Sequence, residues 1–329
     1  MDMADAPAVE MLWEDVEPGD ALMSRFGFAS AREASDWILE LTRLRWGLDV
    51  QSCERVAISD RNALAWLDGP SGSVVAKWSA AEEKFERLDA LARVVAWLGQ
   101  RGVAVSAPIP ATDGEVQIEA DGLSLAMQRA IRGEILDPES PDQVRAAGAT
   151  LARMHAELAT YPDSHAITCM GPQPGPLLGT IRNWMDADRP HVPDAVLSEL
   201  QSAISLLDCE LPVQLLHGDF RSTNILWSGS EISAVLDFDE ARLGPRVDEI
   251  ARSSVLLGTA YREWGPVTRE VRADLFAGYE SVGPLTPAEA RWLPVLVLWY
   301  SAAMIPPNEE PARWTMAALE ELKSPSWTS

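Results

Sequence analysis

Three Asp-Gly pairs within the first 128 residues, Asp68-Gly69, Asp113-Gly114 and Asp121-Gly122, restrict what this chain can become more than any other feature. Asp-Gly readily supplies the left-handed backbone of a tight hairpin turn. Short apolar runs lie around these pairs: 55–58, 63–67 and 73–78 near the first, then 103–109, 115–119 and 124–128 near the other two. Strand-length runs joined by such turns predict an antiparallel sheet, since parallel neighbours need long crossovers. One helix interrupts the series. Ser79 with Glu82 three residues later predicts a capping box, and Phe85, Leu88, Ala92, Val95 and Leu98 form an apolar stripe up to Gln100. A leading helix is predicted over 30–46, capped by Ser30, with Trp37, Ile38, Leu41 and Leu44 on one face.

After Gln128 the period becomes helical. Ser140-Pro141 supplies a helix start, and Val144, Gly148, Leu151, Met154 and Leu158 share a face. Residues 162–179 are rich in Pro and Gly and predict a loop, with helices near 180–188 and 194–207. A single hairpin follows: Ile225–Trp227 and Ile232–Leu236 around Ser228-Gly229-Ser230. Residues 246–323 are again helical, with breaks expected at Pro284, Pro294 and Pro306-Pro307. The expectation is an α+β chain in two lobes, a small antiparallel-sheet lobe over 1–128 and a larger, mainly helical lobe over 129–329. A length of 329 residues suits two modest domains.

Lys plus Arg number 27 and Asp plus Glu 50, a net charge of −23. A phosphate backbone or an anionic membrane would be repelled, so neither nucleic acid nor a membrane is an expected partner, whereas cationic small molecules are compatible. Cys53, Cys169 and Cys209 are scattered and odd in number, which suits a reducing cytoplasm and excludes a thiolate zinc site. The acidic start Met1–Asp5 does not read as a secretory signal, and the apolar stretch Trp292–Ile305 is too short to span a bilayer. The only lysines are Lys77, Lys84 and Lys323, so Lys77, inside the apolar run Val74-Val75-Ala76-Lys77-Trp78, calls for a reason. It is either an outward-facing residue on an alternating strand or a point charge for nucleotide phosphates.

The densest polar cluster in apolar surroundings is His217-Gly218-Asp219-Phe220-Arg221-Ser222-Thr223-Asn224, followed by Asp237-Phe238-Asp239. Asn224 opens the first arm of the hairpin and Asp237 closes the second, which makes them neighbours at its open end, with Asp219 leading into the same end. Two carboxylates and an amide oxygen are hard donors suited to Mg²⁺. Phosphoryl transfer needs such a metal, together with a carboxylate that receives or orients the proton of the attacking hydroxyl. Two other readings are turn and capping residues at hairpin ends, and a metal hydrolase with His217, Asp219, Asp237 and Asp239 as ligands.

The spacing His217-Gly218-Asp219-x-x-x-x-Asn224, then Asp237-Phe238-Asp239, with Lys77 far upstream, resembles the aminoglycoside phosphotransferase and choline kinase superfamily, small-molecule kinases with a protein-kinase-like fold. Leu243–Ala251 is similar to that family's Gly-x-x-x-Asp-Leu-Ala segment, and Leu151–His155 to its Leu-x-x-Leu-His helix. The resemblance implies Asp219 as catalytic base, Asn224 and Asp237 as magnesium ligands, Lys77 on the α- and β-phosphates of ATP or GTP, and Asp248 as the brace of the catalytic loop. It also implies a hinge near Gln128-Arg129-Ala130 whose backbone groups, at Gln128 and Ala130, meet the adenine. The family's lysine pairs with a Glu on the next helix. Leu91 stands at the aligned position, and Glu82, Glu83 and Glu86 remain open as partners. Asp-Phe-Asp in place of Asp-Phe-Gly, with no Ala-Pro-Glu segment, speaks against a protein kinase.

Among the remaining candidates, His155 reads as a packed core histidine, His217 as a brace of the catalytic loop, and His165 and His191 as exposed. Trp292 and Trp299 read as core, and Arg221 and Arg242 as either phosphate contacts or surface ion pairs. The carboxylates Glu240, Glu249, Glu280, Glu309, Glu310, Glu320 and Glu321 in the helical lobe favour an amine-bearing hydroxyl acceptor: an aminoglycoside or amino sugar, an amino alcohol, or a homoserine-like amino acid. A neutral sugar or macrolide is the alternative acceptor. A catalytically silent pseudokinase is the alternative of another class, disfavoured by the intact set Lys77, Asp219, Asn224 and Asp237.

Overall fold

The computed structural model describes residues 6–170, 175–207, 210–261, 264–308 and 312–323. Cys209, Glu309 and Glu310, and the side chains of His165 and Cys169, lie outside the described residues. The chain divides into two units, Met1–Arg132 and Gly133–Ser329.

The first unit contains β1 (Ala8–Met11), α1 (Pro18–Phe26), α2 (Ala31–Trp46), β2 (Ser52–Ser59), β3 (Asn62–Asp68), β4 (Val74–Ser79), α3 (Phe85–Gln100), β5 (Ile118–Ala120) and β6 (Leu123–Arg129). Its six-stranded sheet has the order β1-β2-β3-β4-β6-β5. All pairs are antiparallel except β1 with β2, which runs parallel with Ala8 opposite Arg55. Alternation on the central strands is clean. Ala63, Ala65 and Leu67 on β3 and Val74, Ala76 and Trp78 on β4 are buried in one core with Phe26, Ile38 and Leu41 of the first two helices. Burying these side chains is what holds helices and sheet together. Lys77 therefore points to the other face, half-buried, between Leu64 of β3 and Ala126 of β6.

Several local expectations change. Ser30 does cap α2, accepting from the Glu33 N–H at 3.2 Å, but Leu44 is 72% exposed and leaves the apolar face. Ser79 is not an N-cap. It is the last residue of β4, its hydroxyl accepts from the Ala81 N–H at 3.2 Å, and the chain passes through a 3-10 turn, Glu82–Lys84, before α3 begins. Residues 103–109 form no strand. Two prolines in that stretch and just after it withhold ladder donors, and Pro108 makes only an isolated bridge to Gln128.

The second unit contains β7 (Glu134–Ile135), α4 (Pro141–Leu158), α5 (Ser164–Cys169), α6 (Leu177–Asp186), α7 (Asp194–Ile204), β8 (Gln214–Leu216), β9 (Ile225–Ser228), β10 (Glu231–Val235), β11 (Arg242–Gly244), α8 (Arg246–Leu256), α9 (Arg269–Glu280), α10 (Pro287–Ala303) and α11 (Arg313–Glu321). α5 lies inside the stretch expected to be loop. α10 continues through Pro294 rather than breaking there. Buried Trp292, Val295, Leu296, Leu298 and Trp299 anchor it in a core shared with α7, α8 and α11, which compensates for the donor that proline lacks. Trp292 and Trp299 are thus core residues, as expected from their spacing.

α4 and α9 pack backbone against backbone. A Cβ on Gly148 would stand 2.1 Å from the Leu275 carbonyl oxygen, and one on Gly278 would stand 2.0 Å from that of Arg145. Only glycine permits either approach. This crossing brings Tyr279 onto His155.

Candidate active site

β8 and β11 pair antiparallel, with Arg242 opposite Leu216, and the chain leaving β8 forms the loop 217–221. Gly218 has φ +88°, and a Cβ there would lie 2.1 Å from the Glu240 carbonyl oxygen, so no other residue fits. β9 and β10 form the expected hairpin, Val235 opposite Ile225, and the Leu236 N–H donates to the Asn224 carbonyl at 2.8 Å. Asp237 is the next residue, exposed, with φ +60°. A non-glycine residue held in that region is uncommon and turns the chain sharply at the hairpin's open end.

Asp219 stands at the centre of this loop. The Asn224 amide donates to its main-chain oxygen at 2.8 Å and to Oδ2 at 2.9 Å. Arg221 Nε also donates to Oδ2, at 3.0 Å, and Arg252 reaches Oδ1 at 3.4 Å. With its amide nitrogen turned to Asp219, Asn224 directs its Oδ1 elsewhere.

The loop is gripped from α8. Glu249 accepts from the His217 N–H at 3.0 Å and also from the Gly218 N–H. Arg252, three residues on and so on the same helix face, donates to the Gly218 carbonyl. Glu249 is 1% exposed and also takes a hydrogen bond from His155 Nε2 at 2.8 Å, while His155 Nδ1 meets the Tyr279 hydroxyl at 2.9 Å. Burial works to raise the Glu249 carboxyl, but the His155 bond and nearby positive charge outweigh it and hold the group down at about 2. His155 is therefore a core histidine, as expected, and one with both ring nitrogens engaged.

This corrects the brace expected from sequence. Asp248 does not touch the loop. It accepts from Arg242 at 3.0 Å and from the Tyr300 hydroxyl at 2.7 Å, and burial raises its carboxyl despite the neighbouring guanidinium. Successive helix residues point about 100° apart, so only one of two adjacent acids can face the loop, and that one is Glu249. The usable signal was the acid directly before Ile250-Ala251. Arg242 is thus an ion-pair partner of Asp248 rather than a phosphate contact. His217 accepts from the Asp219 N–H at Nδ1 (3.1 Å) and donates from Nε2 to the Leu236 carbonyl (2.8 Å), packed between Phe220 and Phe238. Both ring nitrogens are engaged, so His217 braces the loop, and the metal-hydrolase reading loses a ligand.

The remaining candidates belong to the first unit. Gln128 lies opposite Val75, and its side-chain oxygen accepts from the Ser106 hydroxyl at 3.0 Å. The Ala130 N–H donates to the Ser73 carbonyl at 3.0 Å, just beyond the paired ends of β6 and β4. Of the glutamates considered for Lys77, Glu83 forms an ion pair with Arg61, and Leu91 is buried.

Among the described residues no cluster of three or more His, Cys, Asp and Glu side chains could hold a metal. Magnesium bound with nucleotide asks for less, one or two oxygen donors beside the phosphates and water. The Asp237 carboxylate and Asn224 Oδ1 at one hairpin end fit that requirement.

The sequence profile of the phosphotransferase enzyme family matches residues 54–293. Curated relatives include the homoserine kinase of Neisseria meningitidis serogroup B, 25% identical over 209 residues covering 60% of this chain and 63% of that protein. The homoserine kinase of Methylobacillus glycogenes is 29% identical over 222 residues, covering 64% and 65%. The chain thus spans less than two thirds of the length of these relatives. Among solved structures, a macrolide 2'-phosphotransferase from Brachybacterium faecium aligns with a TM-score of 0.58 at 19% identity over 89% of this chain and 99% of that one. An amicoumacin kinase aligns at 0.60 and 16% identity over 88% and 94%. The chain shares the kinase-like fold of these proteins.

Proposed function

The chain belongs to the phosphotransferase enzyme family, and on that premise we propose that it is a cytoplasmic small-molecule kinase that moves the γ-phosphoryl group of ATP or GTP, with Mg²⁺, to a hydroxyl. The observation that carries this reading is the Asp219 carboxylate, fixed by the Asn224 amide at 2.8 and 2.9 Å at the hairpin end where Asp237 emerges. Asp219 receives or orients the proton of the attacking hydroxyl. Asn224 and Asp237 hold the magnesium, which when bound offsets charge on the phosphate oxygens. Lys77 supplies a compact positive charge for the remaining phosphates, a role its place on an otherwise apolar strand supports.

The acceptor in this reading is amine-bearing. Net charge −23 and the exposed Glu240, Glu280 and Glu320 support it, as do the homoserine kinases to which the chain is similar. Glu249 and Glu321 do not contribute, since each is buried with a bonded partner. Among the described residues no helix is long and apolar enough to cross a membrane.

The test is ADP release against a panel of hydroxyl compounds. Asp219→Asn should lower kcat by about 10²–10⁴ with an unchanged melting temperature, and Asp237→Ala should weaken magnesium-dependent nucleotide binding. Wild-type turnover in both variants would overturn the proposal.

A further inference from the structure

Asp219 is flanked by two arginines, which is an inversion of charge in a strongly acidic chain. Its Oδ2 already accepts two bonds, from Asn224 at 2.9 Å and Arg221 Nε at 3.0 Å, and these fill the two in-plane lone-pair directions of that oxygen. Among the described residues Oδ1 meets only Arg252, at 3.4 Å. An incoming hydroxyl therefore approaches Oδ1 and does so beside Arg252, with Arg221 across the carboxylate.

Two other arginines of this unit, Arg246 and Arg242, are engaged elsewhere. Arg246 holds Glu289 through two nitrogens and also the Pro284 carbonyl, and Arg242 is tied to Asp248. Arg221 and Arg252, in contrast, share one carboxylate between them. Their side chains stay 17% and 29% exposed, and the guanidinium carbon of Arg221 lies 5.6 Å from the ring centre of Trp264, which is itself 45% exposed. Two guanidiniums thus face the single carboxylate of Asp219, and a planar fork of N–H donors is matched to a carboxylate.

We propose that Arg221 and Arg252 form an anion-binding part of the acceptor site and that the acceptor carries a carboxylate close to its reactive hydroxyl. This rests on the kinase reading and narrows it: a hydroxy amino acid satisfies both the acidic surroundings, through its ammonium, and the two arginines, through its carboxylate. A polycationic amino sugar meets the wrong charge next to Asp219.

The decisive comparison is between L-homoserine and linear aminopropanol, which is the same molecule with hydrogen in place of the carboxylate. Wild-type protein should use homoserine with a kcat/KM at least about tenfold higher, the scale of one charge-assisted hydrogen bond. Arg252→Gln and Arg221→Gln should each raise KM for homoserine about tenfold or more, leave KM for ATP within about twofold, and erase the preference. Equal use of aminopropanol or kanamycin by the wild type would overturn the anion site while the kinase reading stands. A rise in KM for ATP that matches the rise for homoserine would overturn it too, by giving the arginines to the nucleotide. Calorimetric binding of homoserine in the presence of a non-hydrolysable nucleotide separates the two ideas. Absence of ADP release with every acceptor sinks the kinase reading, and homoserine binding that Arg252→Gln abolishes then upholds the anion site, whereas no binding rejects it.

Discussion

The two units place their candidate functional residues by different physical means. In the first, Lys77 is set by sheet register alone: Leu64 and Ala126 flank it across the strands, while Ala76 and Trp78 on either side are buried in the opposite face. In the second, Asp219 sits on a loop whose backbone is held by a buried carboxylate, a histidine and a tyrosine drawn from three helices. Register is maintained by many small apolar contributions, so no single side chain is indispensable to it. A buried polar network concentrates the same task in few atoms, and leaving any of them unpaired is costly.

The sharpest way to break this contrast is Glu249→Ala. It leaves the His217 and Gly218 N–H groups and His155 Nε2 without their acceptor in a dry interior, and global stability should fall by about 3–5 kcal/mol, read by urea denaturation. A loss under about 1 kcal/mol would show that the loop holds itself. The same group carries a pH signature. Its folded-state value of about 2 lies below that of a free glutamate, so its contribution is present above roughly pH 4.3 and is lost as pH falls towards 2. Glu249→Gln should flatten the stability profile in that window, and an unchanged acid profile would contradict the brace.

Gly278→Ala comes next. Its methyl would meet the Arg145 backbone rather than a flexible side chain, and a cost of about 1–3 kcal/mol is expected, with slower turnover as Tyr279 and His155 shift. The smallest structural effect belongs to the first unit. Lys77→Ala should change stability by no more than about 0.5 kcal/mol while raising KM for ATP or lowering kcat, and Lys77→Arg should not fully restore either. A large loss of stability in Lys77→Ala would erase the distinction between the units.

What the sequence conveyed follows the same division. Turn chemistry and period are local, so the Asp121-Gly122 hairpin, the cap at Ser30, the hairpin of β9 and β10, and the meeting of Asp219 with Asn224 could all be read directly. β1 could not, because four residues are too few for alternation to register and its partner lies over forty residues away. Ser79 misled because a serine three residues before a glutamate fits a capping box equally well when the serine ends a strand. The choice between Asp248 and Glu249 depends on how α8 is rotated against the loop, a tertiary fact that two adjacent acids do not encode. The positive pair around Asp219 was half visible: Arg221 stood in the motif, but Arg252 is brought there only by the helix.

The grip of Glu249 on two successive backbone N–H groups has a consequence for an enzyme of phosphates. Adjacent N–H groups converging beside a glycine of positive φ make a concave receptor for anions, the same arrangement that captures phosphate in many proteins. Here the receptor is filled from within by a carboxylate that stays ionised across the physiological range. Inorganic phosphate, sulfate or a stray triphosphate cannot compete for it, and the loop keeps one shape whatever anions the surrounding solution contains.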